Sequence, residues 1–353
     1  MKGTPRILSV GARSALGLDA RGLALALRAQ KLAPRRLTLR DEPCLDAASP
    51  GHHHDVGTVR AAYLDDDVWG FDRLVELGGA ALAEAVETCP VALPARARIV
   101  VAAPDARPSA DKRMGRALIE ALAARAGVVV DLARSSVVFG GHAGFAVALE
   151  RALAESEETN QPILVGAIDT YHDPAALRWL EDEKRLHGPL CRDGFIPAEG
   201  AAFAVVTASG DARASGLAAV RAVVTGVDVS DEASEDPKLA TAMTDIVRRA
   251  AEALPPGPLE WVLVDDNGER HRVKEWSFVT VRNRERFDPD KTVLDRPYFE
   301  AGDCGAATGG LLTAAICMGW AIGGAPAPRA LIALHADGIA RAAFVLEAPG
   351  APQ

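Results

Sequence analysis

Paired cysteines are what this chain most plainly lacks. Its 353 residues include five cysteines, Cys44, Cys89, Cys191, Cys304 and Cys317, an odd number with no Cys-x-x-Cys spacing. That pattern excludes a disulfide framework and a cysteine zinc site, and it suits a reduced, cytoplasmic protein. An excess of positive charge is also missing. The 39 Lys plus Arg against 48 Asp plus Glu give a net charge of −9, which argues against a nucleic-acid surface and a basic membrane patch. The apolar stretch at residues 7–10 is too short for a signal peptide. Residues 304–328 alone run uncharged over a membrane-spanning length, but Gly305, Gly309, Gly310, Gly319, Gly323 and Gly324 dilute them. A buried helix near residues 311–322, packed through small residues, is expected there rather than a membrane span.

A hydrophobic fraction of 49% supports a substantial core, and the length suits two domains or one large α/β domain with an internal division. Apolar, β-branched runs at residues 7–10, 99–102, 128–130, 137–139, 163–165, 203–206, 222–227, 261–264, 330–334 and 343–346 read as strands. Several are uninterrupted, the pattern of strands covered on both faces. Ser109 is placed to cap a helix running through Leu118 and Leu122 to Gly127. Asp173-Pro174 opens another, with Leu177, Leu180 and Leu186 on one side, and Asp236-Pro237 a third, to Leu254. The alternation predicts a layered α/β protein with a parallel or mixed sheet.

An internal repeat sharpens this. A strand, the turn Gly140-Gly141-His142-Ala143-Gly144 and a small-residue helix are followed by a strand and Ala201-Ala202-Phe203. In the second half, the turn Gly302-Asp303-Cys304-Gly305-Ala306-Ala307 and a small-residue helix are followed by a strand and Ala342-Ala343-Phe344. Two copies of one unit would each present a strand–turn–helix corner, with a site between the corners.

Three stretches carry a family resemblance. Val10-Gly11-Ala12-Arg13-Ser14-Ala15-Leu16-Gly17 resembles an opening strand with a Ser-Pro-Leu-Gly turn. Cys191-Arg192-Asp193-Gly194-Phe195-Ile196-Pro197-Ala198-Glu199-Gly200-Ala201 is similar to an Arg-Asp-Gly-Phe-x-x-Gly-Glu-Gly-Ala segment, and is the most specific of the three. The stretch from Ala301 to Gly309 resembles a Gly-His-Thr-x-Gly-Ala-Ala-Gly turn. In this order they resemble the β-ketoacyl synthases of the thiolase-like superfamily. The resemblance implies an α/β, thiolase-like five-layered αβαβα fold with two pseudo-symmetric halves, residues 1–210 and 211–353. It also implies a Cys-His-His site in which a helix-N-terminal thiol attacks an acyl thioester and two histidines stabilise an enolate.

Carried over residue by residue, the roles fail. His142 stands where the nucleophilic Cys belongs, Asn267 at the first histidine and Asp303 at the second. The expected lysine has no counterpart in residues 294–300, and Ala336-Asp337-Gly338-Ile339-Ala340 replaces a Gly-Phe-Gly-Gly turn. Phe195 and Gly338 fall at binding positions of the resemblance. His142 and Asp303 then form a buried hydrogen-bonded pair, or, with Cys304 beside them, a relocated thiol site. His52-His53-His54-Asp55 has metal-ligand composition but reads as a solvated loop. Asp65-Asp66-Asp67 and Glu181-Asp182-Glu183-Lys184-Arg185 read as solvated faces.

The expectation is a degenerate synthase-like protein without condensing activity, needing no cofactor and no metal. It acts as a binding or scaffold partner in fatty acid or polyketide type metabolism. Homodimer and heterodimer with an active synthase both stay open. The arginine-rich residues 31–40 and 282–286 offer a place for an acyl carrier protein. The alternatives are acyl transfer or thioester hydrolysis through Cys304 or His142, or an active synthase whose site is matched differently.

Overall fold

The strands that position the site run in two sets, one from each half of the chain. The computed structural model describes residues 3–40, 53–107, 113–208, 216–228 and 240–351. The first set of elements is β1 (Arg6–Ser14), α1 (Ala20–Arg28), β2 (Arg35–Arg40), β3 (His53–Thr58), α2 (Gly70–Glu87), β4 (Ile99–Ala103), α3 (Arg116–Ala126), β5 (Ser136–Phe139), α4 (Gly144–Thr159), β6 (Ile163–Thr170), α5 (Pro174–Asp182) and β7 (Glu199–Thr207). The second is β8 (Ala218–Val227), α6 (Thr241–Ala251), β9 (Trp261–Val264), α7 (Arg270–Arg282), β10 (Val293–Asp295), α8 (Tyr298–Ala301), α9 (Thr308–Ala321), β11 (Arg329–His335) and β12 (Ala340–Glu347).

The strand order of the main sheet is β10-β9-β11-β12-β8-β1-β7-β6-β4-β5. Among the described residues β1 and β8 pair through Arg6↔Ala219 and Ile7↔Ala218, so two five-stranded halves join at a narrow seam. Outward from that seam each half runs antiparallel and then parallel: β1-β7-β6 and then β4-β5, β8-β12-β11 and then β9-β10.

Both faces of each half are buried, which explains the uninterrupted apolar runs. In β7, Ala201, Phe203 and Val205 face an outer core with α2 and α3, while Ala202, Ala204 and Val206 face a central one. In β11, Ala330, Ile332 and Leu334 face that same central core, while Leu331 and Ala333 face α6 and α7 on the far side. The layers are therefore α2/α3, strands, α4/α9, strands, α6/α7. The middle helices are squeezed between two sheet halves and must be thin. A Cβ on Gly309 would lie 2.8 Å from Leu334 Cδ1 and 3.0 Å from Phe145 Cβ. That is why residues 304–328 are rich in small residues. No described helix is long and apolar enough to cross a membrane.

Some local expectations are corrected. Residues 128–130 form no strand: Val130 makes one isolated bridge to Ala97, and Val129 is exposed. Gly127 ends α3 in the left-handed conformation, φ 68°, and the chain then pairs at a single residue, Ala97, whose amide donates to Val129 O and whose carbonyl accepts from the Asp131 amide. Asp173 does cap α5, accepting from the Ala175 and Ala176 amides. Leu186 lies beyond that helix but shares a core with Leu177, Leu180 and Phe195. α6 stops at Ala251 rather than Leu254. His53 and His54 belong to β3, paired with Arg40 and Leu39, rather than to a loop. Cys44, His52, Ser109, Asp236-Pro237 and the boundary at residues 210/211 lie outside the described residues.

Candidate functional site

Two corners meet where the middle helices begin. The first leaves β5 at Gly140, passes through the 3-10 turn Gly141–Ala143 and enters α4. Gly141 has φ 49°, and a Cβ there would lie 2.9 Å from Asp105 Oδ2, so the turn demands glycine. The second corner runs from Gly302 through the 3-10 turn Gly305–Ala307 into α9. Asp303 is held in a strand-like bridge: its amide donates to Ile196 O at 2.8 Å, and its carbonyl accepts from the Ala198 amide at 2.8 Å. The residues that follow Arg-Asp-Gly-Phe thus set the position of Asp303.

His142 and Asp303 face each other across the two corners, Nε2 to Oδ1 at 2.7 Å. Asn267, in the turn after β9, donates from Nδ2 to Asp303 Oδ2 at 2.6 Å, and the Gly305 amide donates to Oδ1 at 2.7 Å. Arg272 Nη2 lies 3.2 Å from His142 Nδ1 and donates to Asp337 Oδ1 at 2.6 Å. A guanidinium can only donate, so His142 Nδ1 carries a lone pair and Nε2–H donates to Asp303. Both ring nitrogens are engaged. His142, Asp303, Asn267 and Arg272 are all buried.

A second ring of charge surrounds these four. Arg185 grips Glu269 with Nε and Nη2 at 2.7 Å each and reaches Asp337 at 2.8 Å. Asp169, at the end of β6, accepts from Arg107 at 2.7 Å and from the Ala306 amide at 2.8 Å, capping the second corner. Arg107 in turn stacks 4.5 Å over the Tyr171 ring.

The electrostatics follow from burial and these partners. Burial raises the Asp303 carboxyl, but His142, Arg272 and Asn267 outweigh it and hold the group well below the usual carboxylate range. For His142, burial and Arg272 disfavour the imidazolium. The charge of Asp303, its hydrogen bond and the charge of Asp265 together outweigh both, so the pKa is raised. Taking the second proton at Nδ1 would break the contact with Arg272. Asp265 is pushed up to about 6, chiefly by burial, while accepting the His335 amide at 2.6 Å.

Cys304 does not complete a thiol site. Its Sγ lies 3.6 Å from Glu199 O and 3.8 Å from Ala301 O, as a donor to carbonyls. Burial pushes its thiol well above the ordinary range, and the charges of Asp303, Asp169 and Glu199 add to that. These are conditions opposite to those that activate a cysteine. Phe195 is buried as packing, 5.5 Å from the Tyr171 ring centroid, with Arg185 Cζ 5.1 Å over its ring. Gly338 sits in the β11–β12 turn beside Asp337, and its carbonyl accepts from Arg341. The ligand atoms of Glu269, His271 and Asp337 lie within 4.8 Å of one another. Arg185 and Arg272 already neutralise those two carboxylates, so a cation would have to displace a guanidinium.

Sequence reasoning thus located His142, Asn267 and Asp303, which meet, and missed Arg272, Asp265, Glu269, Arg185 and Asp337. The run ending at Arg185 is not simply a solvated face, because its last side chain is drawn inward by Glu269 and Asp337. One signal pointed to Arg272: it shares the face of α7 with Trp276 and Val279, at i, i+4 and i+7, and all three are buried.

No family model matches the chain, and no curated protein matches it in sequence. Solved structures do match in fold. The ketosynthase from module 6 of the bacillaene synthase of Bacillus subtilis 168 aligns with a TM-score of 0.73 at 13% identity, over 98% of this chain and 72% of that one. The ishigamide ketosynthase/chain length factor aligns at 0.71 and 21% identity, over 99% of this chain and 100% of that one. A type II polyketide ketosynthase in complex with its acyl-carrier protein, AntDE:AntF, aligns at 0.75 and 13%, over 99% and 100%. The chain therefore has the thiolase-like fold of the ketosynthases, and at these identities the fold is what they share.

Proposed function

We propose that this protein is a ketosynthase-like subunit without condensing activity, acting in the cytoplasm as a binding or scaffold partner in fatty acid or polyketide type metabolism. The observation that carries this reading is His142. At the corner where the resemblance asks for a nucleophilic thiol stands an imidazole whose two nitrogens are taken by Asp303 and Arg272. Decarboxylative condensation needs a nucleophile and a free electrophile at the enolate oxygen. Here the three family positions, His142, Asn267 and Asp303, are spent on one another. Residues 1–210 and 211–353 are read as two copies of one unit, in keeping with a strand order that repeats outward from the seam.

The edge position of β5 supports the partner role. Among the described residues β5 ends the sheet with an unpaired edge, and Phe139 at its end is 55% exposed, a feature that invites pairing with another chain. That chain is a second copy or an active synthase. The likeness to a ketosynthase/chain length factor and to a ketosynthase held with its acyl-carrier protein supports this setting, with an acyl carrier protein as a further partner. The test is malonyl-thioester decarboxylation by the purified protein. Carbon dioxide release no faster than with heat-denatured protein is expected, and turnover abolished by His142→Ala would refute the reading.

A further inference from the structure

Far from the paired corners, the chain builds a cavity lined by positive charge. A cavity of about 380 Å³ opens where β1 and β11 begin and β12 ends, lined by Arg6, Arg221, Arg329 and Glu347 with alanine and proline walls that include Ala253 and Pro349. Strand β11 starts here at Arg329 and ends at His335, whose amide bonds Asp265. Seven extended residues span roughly 20 Å, so the pocket lies at the other end of the sheet from His142.

Its charge is out of keeping with an acidic protein. Three guanidiniums face one carboxylate in the lining. Glu347 takes Arg329 Nε at 2.9 Å and lies 3.9 Å from Arg221 Nη1, and Glu260, outside the lining, reaches Arg329 at 3.7 Å. Arg6 adds an Nε that is buried with no hydrogen-bond partner. That nitrogen is sealed by protein, so a ligand meets Arg6 at the part of its side chain that lines the cavity. Arg329 is taken up by Glu347 and Glu260, which leaves Arg6 and Arg221 as the guanidiniums placed to meet an anion. Guanidinium forks match phosphate oxygens in geometry, and the apolar walls leave room for an organic group.

We propose that this pocket binds a small organic phosphate, its dianionic head between Arg6 and Arg221 and its organic part against the Ala253 and Pro349 wall. The test is calorimetric titration of the whole protein with inorganic phosphate and with phenyl phosphate at low ionic strength. One saturable site is expected, tighter for phenyl phosphate, with affinity rising as the pH passes the ester's second ionisation at about 6. Arg6→Gln and Arg221→Gln should each weaken it about tenfold or more. Arg270→Gln, which removes a remote exposed charge, should leave it unchanged. Absence of saturable binding overturns the proposal. So does an Arg6→Gln protein that melts like the parent and binds phosphate as tightly, or equal weakening by Arg270→Gln, which would mark a general charge effect. Arg221→Gln keeps the test open if the Arg6 variant does not fold, because Arg221 is the more exposed.

Discussion

Asp303 gathers hydrogen bonds from His142, Asn267 and Gly305 inside the protein, so its charge is matched only while all of these stay in place. Asp303→Asn should lower stability by about 3 kcal/mol in urea titration, the scale of removing one side of a buried charged contact. The pH dependence carries a definite sign. Asp303 is depressed in the folded state, so its contribution is present above the unfolded carboxylate range and is lost as the pH falls through the folded value. Asp265, pushed up to about 6, acts oppositely: its contribution is full below the unfolded range and is lost as the pH rises through about 6. Below about pH 4, Asp303→Asn should therefore lose stability less steeply than the parent on acidification. The thiols give a second check at this scale. Cys304 and Cys317 are buried, while Cys89 and Cys191 are partly exposed. Alkylation mapped by mass at neutral pH should label Cys89 and Cys191 first and the other two only on unfolding. The resemblance found Asp303 and Asn267 because both sit in recognisable turns. It could not find Asp337 or Arg185, which lie 152 residues apart in the chain and are joined only by the fold.

Helix α9 shows how the fold dictates composition. Its interior from Gly309 to Cys317 is buried all round, so the sequence carries no helical stripe and reads as an uncharged stretch of membrane length. The glycines decide against the membrane because two sheet halves leave no room for side chains. Gly309→Ala should cost about 1–3 kcal/mol, the range of overpacking a tight core. Gly338→Ala, where a Cβ meets nothing within 4 Å, should change stability by less than about 0.5 kcal/mol. Thermal unfolding of the two variants side by side tests this. Strands were legible wherever both faces are covered, as in β4, β6, β7, β9, β11 and β12. At residues 128–130 the same apolar signal misled, because β-branched composition does not report how far a pairing extends, and here it stops at the one bridge to Ala97. Helix α7 hid its function for the converse reason: its charged first turn resembles a solvated surface, yet Arg272 points into the site.

At the scale of the molecule, the two corners meet where α4 and α9 begin, and among the described residues the sheet ends at β5, beside the first corner. Association through that edge should be weakened by Phe139→Lys, which adds a charge to it. Sedimentation velocity of the parent should show a species heavier than one chain, shifted toward the monomer in the variant. A parent that sediments as a monomer, alone and with a synthase, would remove the support that β5 gives to a partner role. The central claim is that the ketosynthase fold here carries no working nucleophile. It is tested most directly by intact mass after incubating the whole protein with an acyl thioester and with a cerulenin-like epoxide. The account predicts an unchanged mass in both cases. A single acyl adduct mapping to Cys304 and abolished by Cys304→Ser, or one mapping to His142, would contradict it.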